Sequence, residues 1–294
     1  MVTVTARRHR RPAARSPYSR PVPTLSPGND DGADDADAVD LVDGGLTLDA
    51  LTVGVQVYQR AKGHRFSADD VVTAWVAMQV CPAPARALDL GCGLGSVLLH
   101  VAWSAPDATV VGVEAQAVSF ALARRNIAHN RLGHRVQVHH GDLRDADVVA
   151  ALGGPFDLVT GTPPYFPEDT AVVAMDAQRA AARIEYRGGI EAYVRAAALA
   201  LAPEGWFVVC GAADAAHRLD RAAADEGLAV WGRYAVVPRA GRAPLFTVWS
   251  LRRHRPTGAV ADHRLTLRDE AGDRTDDARA LRAFSGFGEA AARP

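Results

Sequence analysis

The chain predicts an α/β domain, a doubly wound sheet of about seven strands with an antiparallel last strand, preceded by a small hairpin-helix extension. Three observations lead there. Apolar runs of strand length recur at 87–90, 109–114, 135–139, 156–160 and 206–210, and helical segments lie between them. Alternating units of this kind need right-handed crossovers, which place helices on both faces of a parallel sheet. The final pair of runs, near 230–237 and 245–251, is joined by a loop containing Pro238, Gly241 and Pro244 that is too short for a parallel crossover, so this pair should be antiparallel.

In chain order, residues 1–28 hold six arginines (Arg7, Arg8, Arg10, Arg11, Arg15, Arg20) and no acid, and seven aspartates follow between Asp30 and Asp43. Neither stretch can bury a core, so 1–44 is expected to be a disordered tail, either an arm for RNA phosphates or two halves that neutralise each other. Leu46, Leu48, Leu51, Val53, Val55 and Val57 alternate with other residues and predict a hairpin, the start of an N-terminal unit at 45–84. Ser67, with Asp70 three residues on, opens a helix over 68–80 whose stripe is Val71, Val72, Trp75 and Val76. The sheet domain spans 85–254. Within it Ile190, Tyr193, Val194, Ala197 and Leu201 share one helix face, and Pro203 and Gly205 are expected to end that helix. Past His254 the chain turns polar, and 255–294 is read as an extension ordered by docking, with a strand at 264–268 and a helix from Thr275 to Phe284.

Bulk properties narrow the function classes. A chain of 294 residues with net charge −1 and 48% hydrophobic residues is neither a polyanion-coating basic protein nor a wholly disordered one. Cys81, Cys92 and Cys210 stand far apart without a Cys/His cluster, which indicates no disulfide framework and no metal site, and fits a reducing cytoplasm. No apolar run approaches the roughly 18 residues that span a bilayer, and no hydrophobic signal core follows the arginine-rich start.

The chemistry gathers at the carboxyl ends of the expected strands. Asp89-Leu90-Gly91-Cys92-Gly93-Leu94-Gly95-Ser96 sits where the first parallel strand turns into a helix, and its glycines let backbone N–H groups approach a ligand. Ser96 stands where a nicotinamide-cofactor fingerprint needs its third glycine, and Asp89 would repel a pyrophosphate but suits a ligand ammonium. Glu114, at the end of the next strand, can accept both hydroxyls of a ribose, and Asp142 after the third can accept from an adenine amino group. The fourth strand ends in Thr160-Gly161-Thr162-Pro163-Pro164-Tyr165-Phe166. A planar amine donates two hydrogen bonds, so the Thr162 hydroxyl and the Pro163 carbonyl can take one each while Tyr165 or Phe166 packs on the flat group, and Pro164 helps fix the turn. The plainer readings are a strand-end acid for Glu114, a turn-capping aspartate for Asp142 and a stiff loop for the prolines.

The run from Asp89 to Phe166 resembles class I, Rossmann-like S-adenosylmethionine (SAM)-dependent methyltransferases. The proline turn resembles the Asn/Asp/Ser-Pro-Pro-Tyr/Phe motif of those that methylate exocyclic or amide nitrogens. The resemblance over about 46–254 is to the bacterial tRNA(Val) adenine-N6-methyltransferase family, where an Arg-Phe-Ser segment precedes a helix as Arg65-Phe66-Ser67 does here. It implies SAM as cofactor, held by Asp89, Gly91, Cys92, Gly93, Gly95, Glu114, Asp142 and Thr162, with Arg65, Phe66 and Ser67 closing the pocket. It also implies transfer to a nucleobase amine at Thr162, Pro163, Pro164 and Tyr165, with RNA, tRNA by resemblance, as partner. The family carries asparagine where this chain has Thr162, and threonine is closer to the pattern of cytosine-N4 methyltransferases. Small-metabolite or protein-amide methylation, and a non-catalytic SAM- or RNA-binding role, are the competing readings.

Overall fold

The computed structural model describes residues 45–165 and 184–288. Phe166 and the 1–44 tail lie outside the described residues. The elements, in chain order, are β1 (Leu46–Thr52), β2 (Val55–Arg60), α1 (Ala68–Val80), β3 (Arg86–Leu90), α2 (Ser96–Ser104), β4 (Thr109–Glu114), α3 (Ala117–His129), β5 (Val136–His140), α4 (Ala146–Ala151) and β6 (Phe156–Gly161). After the gap come α5 (Ile190–Ala200), β7 (Leu201–Ala212), α6 (Ala216–Asp225), β8 (Ala229–Val237), β9 (Phe246–Arg252), β10 (Ala261–Thr266) and α7 (Asp276–Phe284).

β1 and β2 pair as an antiparallel hairpin. The remaining strands form one sheet in the order β10-β8-β9-β7-β6-β3-β4-β5, in which β9 alone runs antiparallel to its neighbours. The sheet thus has eight strands where about seven were expected. The eighth is β10, which pairs in parallel with β8 and overlaps the strand expected at 264–268. It is a polar edge strand with only Leu265 buried, so it leaves almost no apolar period to read.

Helices cover both faces. α1, α2 and α3 bury one apolar cluster with the hairpin and with Leu281 and Phe284 of α7, while α4, α5 and α6 bury the other. Asp70 Oδ2 accepts from the Ser67 N–H at 3.0 Å, one half of the reciprocal cap that starts α1. The buried Asn126 of α3 fastens the hairpin to the sheet: its carbonyl accepts from the Tyr58 N–H at 2.7 Å, and its NH2 donates to the carbonyls of Tyr58 (3.1 Å) and Leu94 (2.9 Å).

From β3 the chain steps outward through β4 to β5, then returns to the other side of β3 as β6. That reversal opens a crevice at the carboxyl end of β3, the place where doubly wound sheets take ligands. The basic group Arg252, Arg253 and His254 follows the antiparallel β9 and so lies at the opposite edge. Arg252 pairs with Glu204 at 2.6 Å and stacks on Trp206 and Trp231, Arg253 donates to the Leu201 carbonyl, and His254 Nε2 is 3.0 Å from Glu204. These side chains brace strand ends. Among the described residues no helix is long and apolar enough to cross a membrane.

Candidate active site

The crevice is walled by the turns that follow β3, β4, β5 and β6. Gly91, Gly93 and Gly95 of the first turn have φ of +58°, +57° and +92°, a conformation that side chains with a Cβ resist. The turn is closed by hydrogen bonds from the Cys92 N–H to the Val113 carbonyl (3.0 Å) and from the Gly95 N–H to the Cys92 carbonyl (2.8 Å). Above Gly93 there is open space, and behind Gly91 the buried Tyr193 of α5 presses its hydroxyl against the backbone.

Asp89 lies beneath this turn rather than on the crevice wall. Its carboxylate accepts from the Leu98 N–H at 3.0 Å and the Thr160 hydroxyl at 2.8 Å, which ties α2, β3 and β6 together. Burial pushes its pKa up to about 7, with Glu114 adding in the same direction. Glu114 lines the crevice and is only 6% exposed. It accepts from the Gly93 N–H (2.8 Å) and the Gln116 N–H (2.7 Å), so the carboxylate is clamped between two turns. Burial raises its pKa and those two hydrogen bonds oppose the rise. Asp142, on the more open side, is held by Arg144 at 2.7 Å, and hydrogen bonding to Arg144 lowers its pKa.

Arg65, Phe66 and Ser67 face elsewhere. Arg65 donates to the Thr47 hydroxyl (2.8 Å) and Asp49 (3.1 Å), Phe66 packs against the core, and Ser67 caps α1. Their neighbours His64 and Asp70 reach the wall instead. Burial, with Asp69 and Asp89 close by, raises the Asp70 pKa. Ser119, Arg187 and Tyr193 also line the crevice. Sequence reading missed them because they arrive by packing from α3, the segment before α5 and α5 itself, with no local motif to mark them.

The proline turn divides two hollows. Thr162 and Pro164 face the crevice, while Pro163, Pro164 and Tyr165 line a second hollow with Ile190, Glu185 and Arg218. The Tyr165 hydroxyl donates to Asp69 at 3.0 Å and lies 3.1 Å from Cys210 Sγ, which pins the turn to α1 and β7. Burial raises the Tyr165 pKa, so it stays a phenol. In the second hollow Arg218 reaches Glu185 at 2.8 Å and, beyond it, Glu191 at 2.7 Å. With Asp214 and His217 also present, the described residues of that hollow carry no net positive charge.

Comparison with known proteins adds the following. Residues 87–183 match the family model of a methyltransferase domain. A curated tRNA1(Val) (adenine(37)-N6)-methyltransferase of Porphyromonas gingivalis is 32% identical over 123 residues, which are 42% of this chain and 48% of that one. A release factor glutamine methyltransferase of Chlorobaculum tepidum is 36% identical over 81 residues, 28% of each chain. The chain thus spans about half the length, or less, of these relatives. A crystal structure of a predicted O-methyltransferase from Agrobacterium tumefaciens superposes with a TM-score of 0.55 at 17% identity, covering 74% of this chain and 96% of that one, which establishes the shared fold.

Proposed function

We propose, from the match of residues 87–183 to a methyltransferase domain and from the shared fold, that the chain is a SAM-dependent N-methyltransferase acting on an exocyclic amine of a nucleobase in RNA. One observation carries the reading: Pro164 lines both hollows, so a donor in the crevice and an acceptor in the second hollow would meet across the Thr162–Tyr165 turn. The residues present fit the donor. Open space over Gly93 admits it, Glu114 is set to take ribose hydroxyls, Asp142 an adenine amine, and Asp70 on the wall an ammonium group, with Asp89 buried behind the turn. Bound there, SAM supplies an electrophilic methyl group. The chain's own part is alignment: Thr162 and the Pro163 carbonyl accept from the incoming amine, and the pinned turn holds that nitrogen in line. tRNA as the RNA is carried by similarity to the Porphyromonas enzyme.

A protein amide is the second reading, favoured by the lack of net positive charge among the described residues of the second hollow and by similarity to the Chlorobaculum enzyme. Transfer of labelled methyl from SAM into fractionated lysate separates the two, since label should follow RNA under the first reading and protein under the second. With the labelled substrate in hand, Thr162→Ala should keep SAM affinity and slow single-turnover transfer about tenfold, the worth of one hydrogen bond, while Thr162→Ser keeps most of the rate. Equal rates for all three would remove Thr162 from the reaction. Glu114→Ala should weaken SAM binding by about 1–3 kcal/mol in titration calorimetry, and an unchanged dissociation constant would leave Glu114 a purely structural clamp.

A further inference from the structure

The C-terminal extension builds a hollow remote from the crevice that the reading above does not use. It is an open cavity of about 460 Å³ walled, among the described residues, by Arg268, Arg274, Arg279 and Arg282, with Phe287 and one acid, Asp273. Arg279 is held by Asp276. Arg282 lies over the Phe287 ring at 5.7 Å, and among the described residues Arg268, Arg274 and Arg282 form no ion pair. Arg268, Arg274 and Arg282 are exposed. With Arg279 paired to Asp276 and Asp273 offsetting a further charge, the three exposed guanidinium groups still leave the hollow net positive, and Arg is the side chain whose planar fork suits phosphate oxygens.

Position gives this cluster its meaning. β10 runs parallel to β8, so Arg268 and Arg274, just past its carboxyl end, stand on the same edge of the sheet as the crevice. Four strand steps separate β10 from β6, about 19 Å at the usual strand spacing. A polyanion whose base is seated at the proline turn therefore has phosphates within reach of the arginines. The described residues of the second hollow carry no net positive charge, so among them the attraction for a phosphate backbone is concentrated in the arginine hollow.

We infer that this arginine hollow is a docking site for the phosphate backbone of the substrate RNA, with Phe287 available to stack an unpaired base. The inference rests on the RNA reading of the active site. Its test compares the full wild-type chain with R274E/R282E, using fluorescein-labelled bulk bacterial tRNA and anisotropy between about 50 and 200 mM KCl. The 1–28 arginines are present in both proteins and cancel. The expected result is at least about tenfold weaker binding, with a salt slope smaller by about two, while SAM affinity is unchanged. R274K/R282K keeps the charge and should retain most of the affinity. Should the reversed pair fail to fold, Arg274→Ala and Arg282→Ala carry the same comparison singly.

Equal tRNA affinity and slope in wild type and variant would overturn the inference and leave the RNA reading standing. Wild type that binds SAM but no tRNA would overturn the RNA reading itself. Displacement by poly-L-glutamate as strong as by unlabelled tRNA would assign the hollow to acidic protein rather than to RNA.

Discussion

Alanine at position 91 is expected to destabilise the protein by about 2–4 kcal/mol and to weaken SAM binding more than tenfold. Two costs combine. A residue with a Cβ in the left-handed region loses roughly 1–2 kcal/mol, and Gly91 has φ of +58°. The new Cβ would also stand 2.1 Å from the Tyr193 hydroxyl oxygen. Tyr193 has little room to retreat, because its ring already lies so close to Gly161 that a Cβ there would be 2.6 Å from Cδ1. Adding Tyr193→Phe deletes the hydroxyl but leaves ring carbon Cζ at 3.0 Å, so the double variant should recover part of the stability and none of the backbone strain. Gly93→Ala is the contrast. It has the same positive φ and no atom within contact range of a new Cβ, so it should lose less stability yet still obstruct the donor. Urea unfolding and calorimetry on the four proteins decide the matter. A Gly91→Ala protein as stable as wild type would show that Tyr193 does not brace the turn.

Acid should expose a second large effect, at His100. The ring stacks on Phe284 at 4.7 Å, Nε2 lies 3.3 Å from the Ser285 hydroxyl, and Nδ1 is buried without a partner among the described residues. Burial pushes its pKa from 6.5 down to about 3. Because the folded value is the lower one, the unfolded chain binds the proton first. Stability from this residue is therefore complete above about pH 6.5 and drains away as pH falls toward 3, by on the order of 5 kcal/mol over the whole range. Asp89 works the other way: its folded pKa is raised to about 7, so its contribution is present at low pH and lost as pH rises. The two are separated by difference. His100→Leu should cost about 1 kcal/mol near pH 7 through the lost stacking, then gain on wild type by up to about 1.4 kcal/mol per pH unit below about 6. A stability difference that stays constant from about pH 7 to 4 would mean that His100 does not titrate with unfolding.

What could be read in advance was whatever the chain encodes locally. The helix expected at 68–80 forms as Ala68–Val80, since its cap and its stripe are local, and the buried strands other than β7, which starts five residues before its expected run, fall within a residue or two of theirs. The end of α5 was less legible. The helix stops at Ala200 and β7 starts at once, so Pro203 and Gly205 lie inside the strand instead of closing the helix. They sit where the pairing of β6 with β7 shifts register, from Phe156 opposite Leu201 to Leu158 opposite Trp206, and an irregular stretch of that kind tolerates proline. At the site, the glycine turn and the strand-end acids announce themselves by spacing. Arg187, Tyr193 and His64 do not, because their nearness to the crevice exists only once the helices have packed. The basic residues at the end of β9 show the reverse limit: in the fold Arg252 and His254 brace Glu204, and Arg252 also covers two tryptophans.

The outer position of β10 has a consequence for biosynthesis. Translation delivers β8 and β9 before the strand that covers β8, so the nascent sheet passes through a stage with the backbone hydrogen-bonding groups of β8 unpaired on one side. Exposed edges of this kind invite pairing with other chains. The strand that closes the gap exposes Asp262, His263 and Arg264 and buries only Leu265, which joins Leu281 and Phe284 of the helix behind it in one apolar cluster. Docking of this polar strand is thus the step that covers the free edge of β8.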